Sequence, residues 1–373
     1  MSTRELKNYA RAAGRVLLAV LNVATAAGLI LSAYSGCIAP QTWKLAPVVT
    51  MTFPGWVLGI ILVGLIDLFT VRRWLWLCGA TLAVASPTLW NYSPLHIPYA
   101  FLDEDEKARS FTFLTYNVYN FESYSKEYPD NQNPALKFIL QTDADVVCLQ
   151  EALLLQVNAK THITQEQMRR LSEKYPYIMQ TGEAQMLLSK FPTVILPMRM
   201  DKNPGAGKCD VGAFRVTIDG QDITIFDVHL QSFGLTSEDK EAYRDFTRSP
   251  SEEEMGEVRT LVSKIAEAAR KRAMQTEVLM NCIKKFGGPN VIVSGDFNDV
   301  PCSYSLRRLG DVGLKQVYPR VALGPMVTYY ANKFYFRIDH VLYRGSLTPV
   351  ELTRPKVKAS DHYPQIITFV LDR

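Results

Sequence analysis

The sequence predicts about three transmembrane helices followed by one α/β or α+β domain, in which two packed sheets are covered by helices. Three observations lead there. Charge is uneven: residues 1–102 hold seven Lys or Arg and only two acids, Glu5 and Asp67, which leaves 34 basic and 35 acidic residues for the rest of the 373-residue chain. Long apolar runs are confined to the same N-terminal stretch. From Ser110 onward, short β-rich runs alternate with turn residues and a few helical stretches.

Val16 to Tyr34 is a run of 19 residues without a charge, and Leu45 to Phe69 is a second apolar stretch interrupted by Pro54 and Asp67. Both reach the roughly 20 apolar residues needed to cross a hydrocarbon core. Trp74 to Trp90 is a third, shorter candidate; Trp74, Trp76, Trp90, Tyr92 and Tyr99 around it suit the interfacial belt. A cleaved signal peptide behind Arg4, Lys7, Arg11 and Arg15 is the alternative for the first run, and the later runs would still hold the chain. Basic residues before the first run and at Arg72 and Arg73 mark the cytoplasmic side. Three spans then place everything after about residue 95 outside the inner leaflet, whereas two spans leave it in the cytoplasm. The expected organisation is a membrane segment over residues 1–95 and a catalytic domain over residues 103–373. The expected location is multi-pass in a membrane, with the catalytic domain extracytoplasmic.

In the second part, strands are expected at Phe111 to Asn117, Ala144 to Leu149, Gln185 to Leu188, Gly212 to Ile218, Asp222 to Val228, Asn290 to Ser294 and Ile338 to Tyr343. Helical periodicity marks Pro134 to Gln141, Thr164 to Tyr175 and Gly256 to Phe286, the last stopped by Gly287, Gly288 and Pro289. Ser232 to Met255 reads as a long surface loop, with Glu252 to Glu254 as a solvated helix start. The near-balanced charge gives no support for a strongly basic nucleic-acid face. Six scattered cysteines contain no CxxC pair and indicate neither zinc nor a disulfide framework, and Cys148 reads as a small buried hydrophobe.

Short motifs place acids, amides and imidazoles just past apolar strands. They are LTYNVYNF around Asn117, DVVCLQE ending at Glu151, FDVHL with His229, VIVSGDFNDVP with Asp296 and Asn298, RIDHVLY with Asp339, and SDHYP with Asp361 and His362. Singly, an Asp or Asn at a strand end is more often a turn former than a ligand. The conjunction, in this order, is what carries meaning. His340 reads as a structural histidine, Asp227 and Asp299 as turn or surface acids, and Tyr119, Phe121 and Phe297 as cleft wall or core.

LTYNV, LQE, DVHL, GDFND, RIDH and SDHYP together resemble the endonuclease/exonuclease/phosphatase superfamily, which includes pancreatic deoxyribonuclease, abasic-site endonucleases, inositol-polyphosphate 5-phosphatases and neutral sphingomyelinases. MLLSKFP at Met186 to Pro192 is similar to a further family feature. The resemblance spans Phe111 to Arg373 and implies a four-layered α/β sandwich. It also implies that Glu151 and Asn117, with Asp361, hold a divalent metal, Mg²⁺ or Mn²⁺, through hard oxygen ligands. Asp296, oriented by Asn298, is implied to position or deprotonate the attacking water; His362, paired with Asp339, and His229 are implied to contact the phosphate oxygens. The expected activity is metal-dependent hydrolysis of a phosphate ester, with a lipid headgroup as candidate substrate. The alternatives are an extracytoplasmic nuclease acting on DNA or RNA and an inactive membrane-tethered binding module. No protein partner is indicated.

Overall fold

The computed structural model describes residues 3–96, 102–198, 205–206, 210–234, 252–331 and 334–372. Its N-terminal part is helical: α1 (Thr3–Tyr34), α2 (Ala46–Met51), α3 (Phe53–Phe69) and α4 (Leu75–Tyr92). After α5 (Glu104–Ala108) come β1 (Ser110–Asn117), α6 (Pro134–Thr142), β2 (Val146–Gln150), α7 (Gln165–Lys174), β3 (Tyr177–Thr181), β4 (Gln185–Ser189), β5 (Thr193–Ile195), β6 (Asp210–Ile218) and β7 (Gln221–His229). The chain ends with α8 (Glu252–Phe286), β8 (Asn290–Asp296), α9 (Tyr304–Gly310), β9 (Lys315–Gln316), α10 (Tyr318–Val321), β10 (Asp339–Arg344), β11 (Leu347–Thr353) and β12 (Gln365–Leu371).

Among the described residues the strands form two six-stranded sheets, ordered β11-β12-β1-β2-β4-β3 and β5-β6-β7-β8-β10-β9. Each interior strand is covered on both faces, which is why it reads as an unbroken apolar run. Along β1, Phe111 and Phe113 enter the core between the sheets with Phe214, Ile225 and Phe369, while Leu114 and Tyr116 pack outward with Leu136 and Ile139 of α6 and Leu171 of α7. On the second sheet Ile292 faces inward, and Val291 and Val293 pack with Leu279 and Ile283 of α8 and Leu306 of α9. The result is the four-layered sandwich that the resemblance implies.

All seven expected strands form. The unexpected β3, β5, β9 and β11 are the four edges of the two sheets. Edge strands are short and half-solvated, so they write a weaker apolar pattern. Interior β12 was also not expected, although IITFVL is apolar throughout. Helix α8 begins at Glu252 rather than Gly256; of the expected loop from Ser232 to Met255, residues 235–251 lie outside the described residues, as does Tyr99.

The expectation of about three spans needs correction: among the described residues one helix, Thr3–Cys37, is long and apolar enough to cross a membrane by length and composition. The second apolar stretch breaks at Thr52, with Pro54 in the first turn of α3, where its missing N–H costs nothing. That leaves 17 residues in α3. The 18-residue α4 is diluted by Ser86, Pro87, Thr88 and Asn91. The helices nonetheless pack as a bundle around Ala26, Leu29, Ala33, Phe53, Ile60, Cys78 and Ala85. Among the described residues, most exposed large apolar side chains lie here, including Val20, Leu58, Ile61, Leu62, Leu65 and Trp76.

The bundle is fastened to the sandwich at one end. Arg307 of α9 donates to the Ala33 carbonyl at 2.8 Å and to the Thr88 hydroxyl at 3.2 Å, and Arg337 donates to the Asn91 carbonyl. Both guanidiniums thus meet the carbonyl-rich C-terminal ends of α1 and α4, where a cation is favoured. Trp90 Nε1 donates to Pro319 O at 3.0 Å, and Gly36 lies so close to Cys302 that a Cβ there would sit 2.0 Å from the Cys302 carbonyl oxygen.

Candidate active site

Strand register gathers the motif residues at one end of both sheets. In the second sheet β7 and β8 are parallel and pair His229 with Asp296, while β10 runs antiparallel to β8 and pairs Asp339 with Asp296. Those three residues therefore stand side by side on adjacent strands. In the first sheet β1 and β2 are parallel and pair Asn117 with Gln150, so Glu151 emerges next to Asn117. Asp361 and His362 immediately precede β12, which lies beside β1. Close approach of β7 and β8 requires Gly295: its φ is 130° and a Cβ would fall 2.2 Å from the Val228 carbonyl oxygen.

The side chains then meet. Asn117 Nδ2 donates to Glu151 Oε1 at 3.0 Å and to Asp296 Oδ2 at 3.2 Å, joining the two sheets. His229 Nε2 lies 3.8 Å from both Glu151 Oε1 and Asp296 Oδ2. His362 shares a 2.8 Å hydrogen bond through Nδ1 with Asp339 Oδ2, and its Nε2 is 3.6 Å from Asp296 Oδ2. Asn298 donates its backbone N–H to Asp296 Oδ1 at 2.8 Å and its side-chain amide to the Leu230 carbonyl at 3.1 Å. Glu151 and Asn298 hold positive φ angles of 52° and 50°, sparsely populated conformations that here present functional-type side chains. All eight expected residues are thus brought together. Glu151, His229, Asp296, Asn298, Asp361 and His362 face one cavity of about 570 Å³. A larger cavity of about 700 Å³ at the seam between bundle and sandwich, around Trp90, Arg307 and Arg320, contains none of them, and chemistry rather than size locates the site.

Electrostatics divide the set in two. Burial pulls the His362 imidazole down, but the Asp339 and Asp296 charges outweigh it and hold the ring well above its ordinary value, as imidazolium. Burial pushes Asp296 up, with His362 opposing and Asp339 adding to the rise. Asp296, Asp339 and His362 are close enough to surround a cation. A protonated imidazole already bonded to Asp339 is a hydrogen-bond donor, however, and not a metal ligand. The other half suits a hard divalent ion better. Burial raises Asp361, His362 offsets part of that, and the charge of Glu151 adds to it, so a cation beside these two carboxylates would relieve their repulsion. As oriented here, Asn117 braces Glu151 through its amide nitrogen while its oxygen accepts from Tyr119 N at 3.1 Å.

Several other residues resolve differently from expectation. Asp227 and Asp299 are not surface acids. Asp227 is fully buried and accepts from Gln150 Nε2, and Asp299 pairs at 3.3 Å with Arg272, itself buried. His340 is structural as expected: it is buried, with Nε2 2.9 Å from the Asp299 carbonyl oxygen, and burial together with Arg337 pulls it down to about 3. Phe121 and Phe297 are core, Tyr119 is exposed, and Cys148 is a fully buried core residue. Lys190 of the MLLSKFP motif pairs with Asp143 and Asp145, away from the cavity.

Three contributors were not anticipated. Ser360 donates to the Asn117 carbonyl at 2.7 Å and accepts from His362 N at 3.2 Å, tying the two halves together. Tyr329 places its ring 5.0 Å from that of His362. Val48, Met51 and Thr52, from α2 and its end, line the same cavity from the bundle. Ser360 lies in a motif already marked; nothing local in sequence signals the other two.

A buried acid–imidazole pair, a second imidazole and paired carboxylates around one opening define a site for hydrolysing phosphate esters. The chain matches the Endonuclease/Exonuclease/phosphatase family over residues 114–362 and belongs to that family, whose members are metal-dependent phosphoesterase and nuclease hydrolases. A second match, to a domain of unknown function, covers residues 15–92. No curated protein matches the chain. Similar solved structures include a humanized TDP2 of D. rerio, at 17% identity over 70% of this chain and 99% of that one with a TM-score of 0.46. The catalytic domain of human Nocturnin is similar at 14% identity over 70% and 95%, TM-score 0.48. An endonuclease/exonuclease/phosphatase from Bacteroides vulgatus is similar at 15% identity over 70% and 99%, TM-score 0.46. The family assignment rests on the sequence match.

Proposed function

We propose that this protein is a membrane-held, divalent-metal-dependent phosphoesterase whose substrate is a phosphate ester presented at the membrane surface. The observation that carries the reading is that six of the eight motif residues line a single cavity, with Asn117 and Asp339 hydrogen-bonded to them from behind. His362, kept protonated by Asp339, donates to a non-bridging phosphate oxygen as charge builds there, and His229, at the end of β7 in the other sheet, contacts a second phosphate oxygen. Asp296, raised by burial towards neutrality and held by the Asn298 N–H, accepts the proton of the attacking water. Glu151 and Asp361, with Asn117 bracing, would hold Mg²⁺ or Mn²⁺; when bound, the ion supplies charge neutralisation and orientation at the phosphate. The apolar outer face of the bundle supports membrane attachment. With the basic start of α1, Arg4, Lys7, Arg11 and Arg15, on the cytoplasmic side, a single crossing by α1 places the sandwich outside the cytoplasm.

The test uses the full-length protein with bis-p-nitrophenyl phosphate and Mg²⁺ or Mn²⁺, followed by chelation. Turnover that stops with EDTA and returns with metal is the expected result, and turnover indifferent to EDTA would overturn the metal role. A reporter fused after Arg373 and found in the cytoplasm would overturn the orientation.

A further inference from the structure

We propose that the catalytic cavity continues as an apolar groove which takes the hydrocarbon chain of an amphiphilic phosphate ester, with one wall supplied by the N-terminal bundle. This rests on the phosphoesterase reading above and names its substrate class.

Apolar side chains make up most of the lining outside the catalytic set. Beyond Glu151, Asp296 and His362 the cavity is lined by Val48 and Met51 of α2, Leu261 and Ile265 of α8, and Phe334 and Phe336 from the segment before β10. The α8 residues belong to one face of that helix, since Val258, Leu261, Val262 and Ile265 repeat at the helical spacing of three and four and all line the cavity. The sandwich does not need that face for its own core. Leu279, Met280 and Ile283, in the second half of α8, cover the sheet, and the first half runs on to meet α2.

Placement argues for a lipid-like occupant. The C-terminal ends of α1 and α4 are the ends fastened to the sandwich by Arg307 and Arg337, and α2 leads directly into the start of α3. Helix α2 therefore lies where the apolar-surfaced bundle meets the catalytic domain. An ester anchored in a bilayer around this bundle would bring its phosphate and the first part of its chain to this level. Val48, Val258, Leu261, Val262 and Ile265 form a branched aliphatic wall that accepts a flexible chain; Phe233, Tyr329, Phe334, Tyr335 and Phe336 line the rest, and the thymidine ester in the test below decides against a stacked base. The walls here come from two parts of the sequence, so the groove exists only when bundle and sandwich are joined.

The experiment measures kcat/KM for ethyl, butyl, hexyl and octyl p-nitrophenyl phosphate, and for thymidine p-nitrophenyl phosphate, using full-length protein held in an amphipathic polymer with Mg²⁺. A groove that buries the chain predicts a rise of about fourfold for each methylene enclosed, levelling where the groove ends. Val48→Trp and Leu261→Trp fill it from opposite walls, and each should lower the octyl-to-ethyl ratio at least tenfold; simple partitioning into the polymer would leave that ratio alone. A flat series in the wild type, the same ratio in both variants, or a thymidine ester outrunning the octyl ester would each overturn the groove while leaving the phosphoesterase reading intact. If the ethyl ester is not turned over at all, it is that underlying reading which fails.

Discussion

In the sandwich, Phe113, Phe214 and Phe369 are fully buried between the two sheets; in the bundle, Leu58, Ile61, Leu62 and Leu65 of α3 point outward. The charged groups are distributed the other way. The sandwich buries Asp296, Asp339, Arg272 and Arg337, each paired or hydrogen-bonded, at or near its functional end. Among its described residues the bundle buries one acid, Asp67, against Asn22 at 3.2 Å, and its core is otherwise small and apolar side chains such as Ala26, Ala33, Leu29 and Phe53. The difference teaches that the two regions are built for different surroundings. Buried charge is costly unless it is compensated, so the charges at the catalytic end mark work rather than stability. The exposed apolar surface of the bundle is the face that the proposed membrane attachment would cover.

The sharpest way to break that contrast is to remove the sandwich's buried charges. Asp296→Ala and His362→Ala should each lower kcat by about 10²- to 10⁴-fold with circular dichroism unchanged, because both act on the transition state. Wild-type rates in either variant would refute its assigned role, and wholesale unfolding would show the charge to be structural. A smaller effect separates the two surfaces. Leu62→Lys on the outer face of α3 should cost about 2.5–3.5 kcal/mol of membrane insertion, seen as loss of retention after carbonate extraction. Leu153→Lys, equally exposed on the sandwich, should change retention not at all. Equal behaviour of the two would remove the case for a membrane-facing bundle.

The junction can be loosened next. Arg307→Ala leaves the carbonyl of Ala33 without its cationic partner, and a loss of about 1–3 kcal/mol is expected, read as a lower midpoint in thermal unfolding. An unchanged midpoint would mean that the two regions are merely adjacent. The last effect concerns acid stability and is small at any one pH. His340 is neutral in the folded protein down to about 3, whereas in the unfolded chain it takes up a proton near its ordinary value. Stability should therefore be full above the unfolded value and fall as pH drops towards the folded one, by up to about 1.4 kcal/mol per pH unit for one proton. Denaturant midpoints measured across that range should show a shallower slope in His340→Gln; parallel slopes would remove His340 as the cause.

Much of the sandwich was legible before folding. β1, β2, β4, β6, β7, β8 and β10 are interior strands or lie beside an edge, and burial on both faces makes a strand apolar at nearly every position. The four edge strands lack that pressure, and their solvated sides blur the pattern. The eight motif residues were legible as strand-end polar groups, and their shared order gave them meaning. Tyr329 and the α2 wall carried no local sign, since neither stands at the end of an apolar run.

What the sequence by itself determined, then, is each segment's local preference: where apolar runs of a given period occur, which polar groups follow them, and that the N-terminus is basic and greasy while the remainder is balanced. Only the tertiary structure decided that β7, β8 and β10 set His229, Asp296 and Asp339 side by side, that the Asn117 amide bridges two sheets, and that α2 walls a cavity whose other end is the catalytic set. Period and composition are properties of neighbours along the chain. The register of β7, β8 and β10 joins residues tens of positions apart, and the capping of α1 and α4 by Arg307 and Arg337 joins residues more than two hundred apart; such contacts become favourable only once the whole fold closes around them.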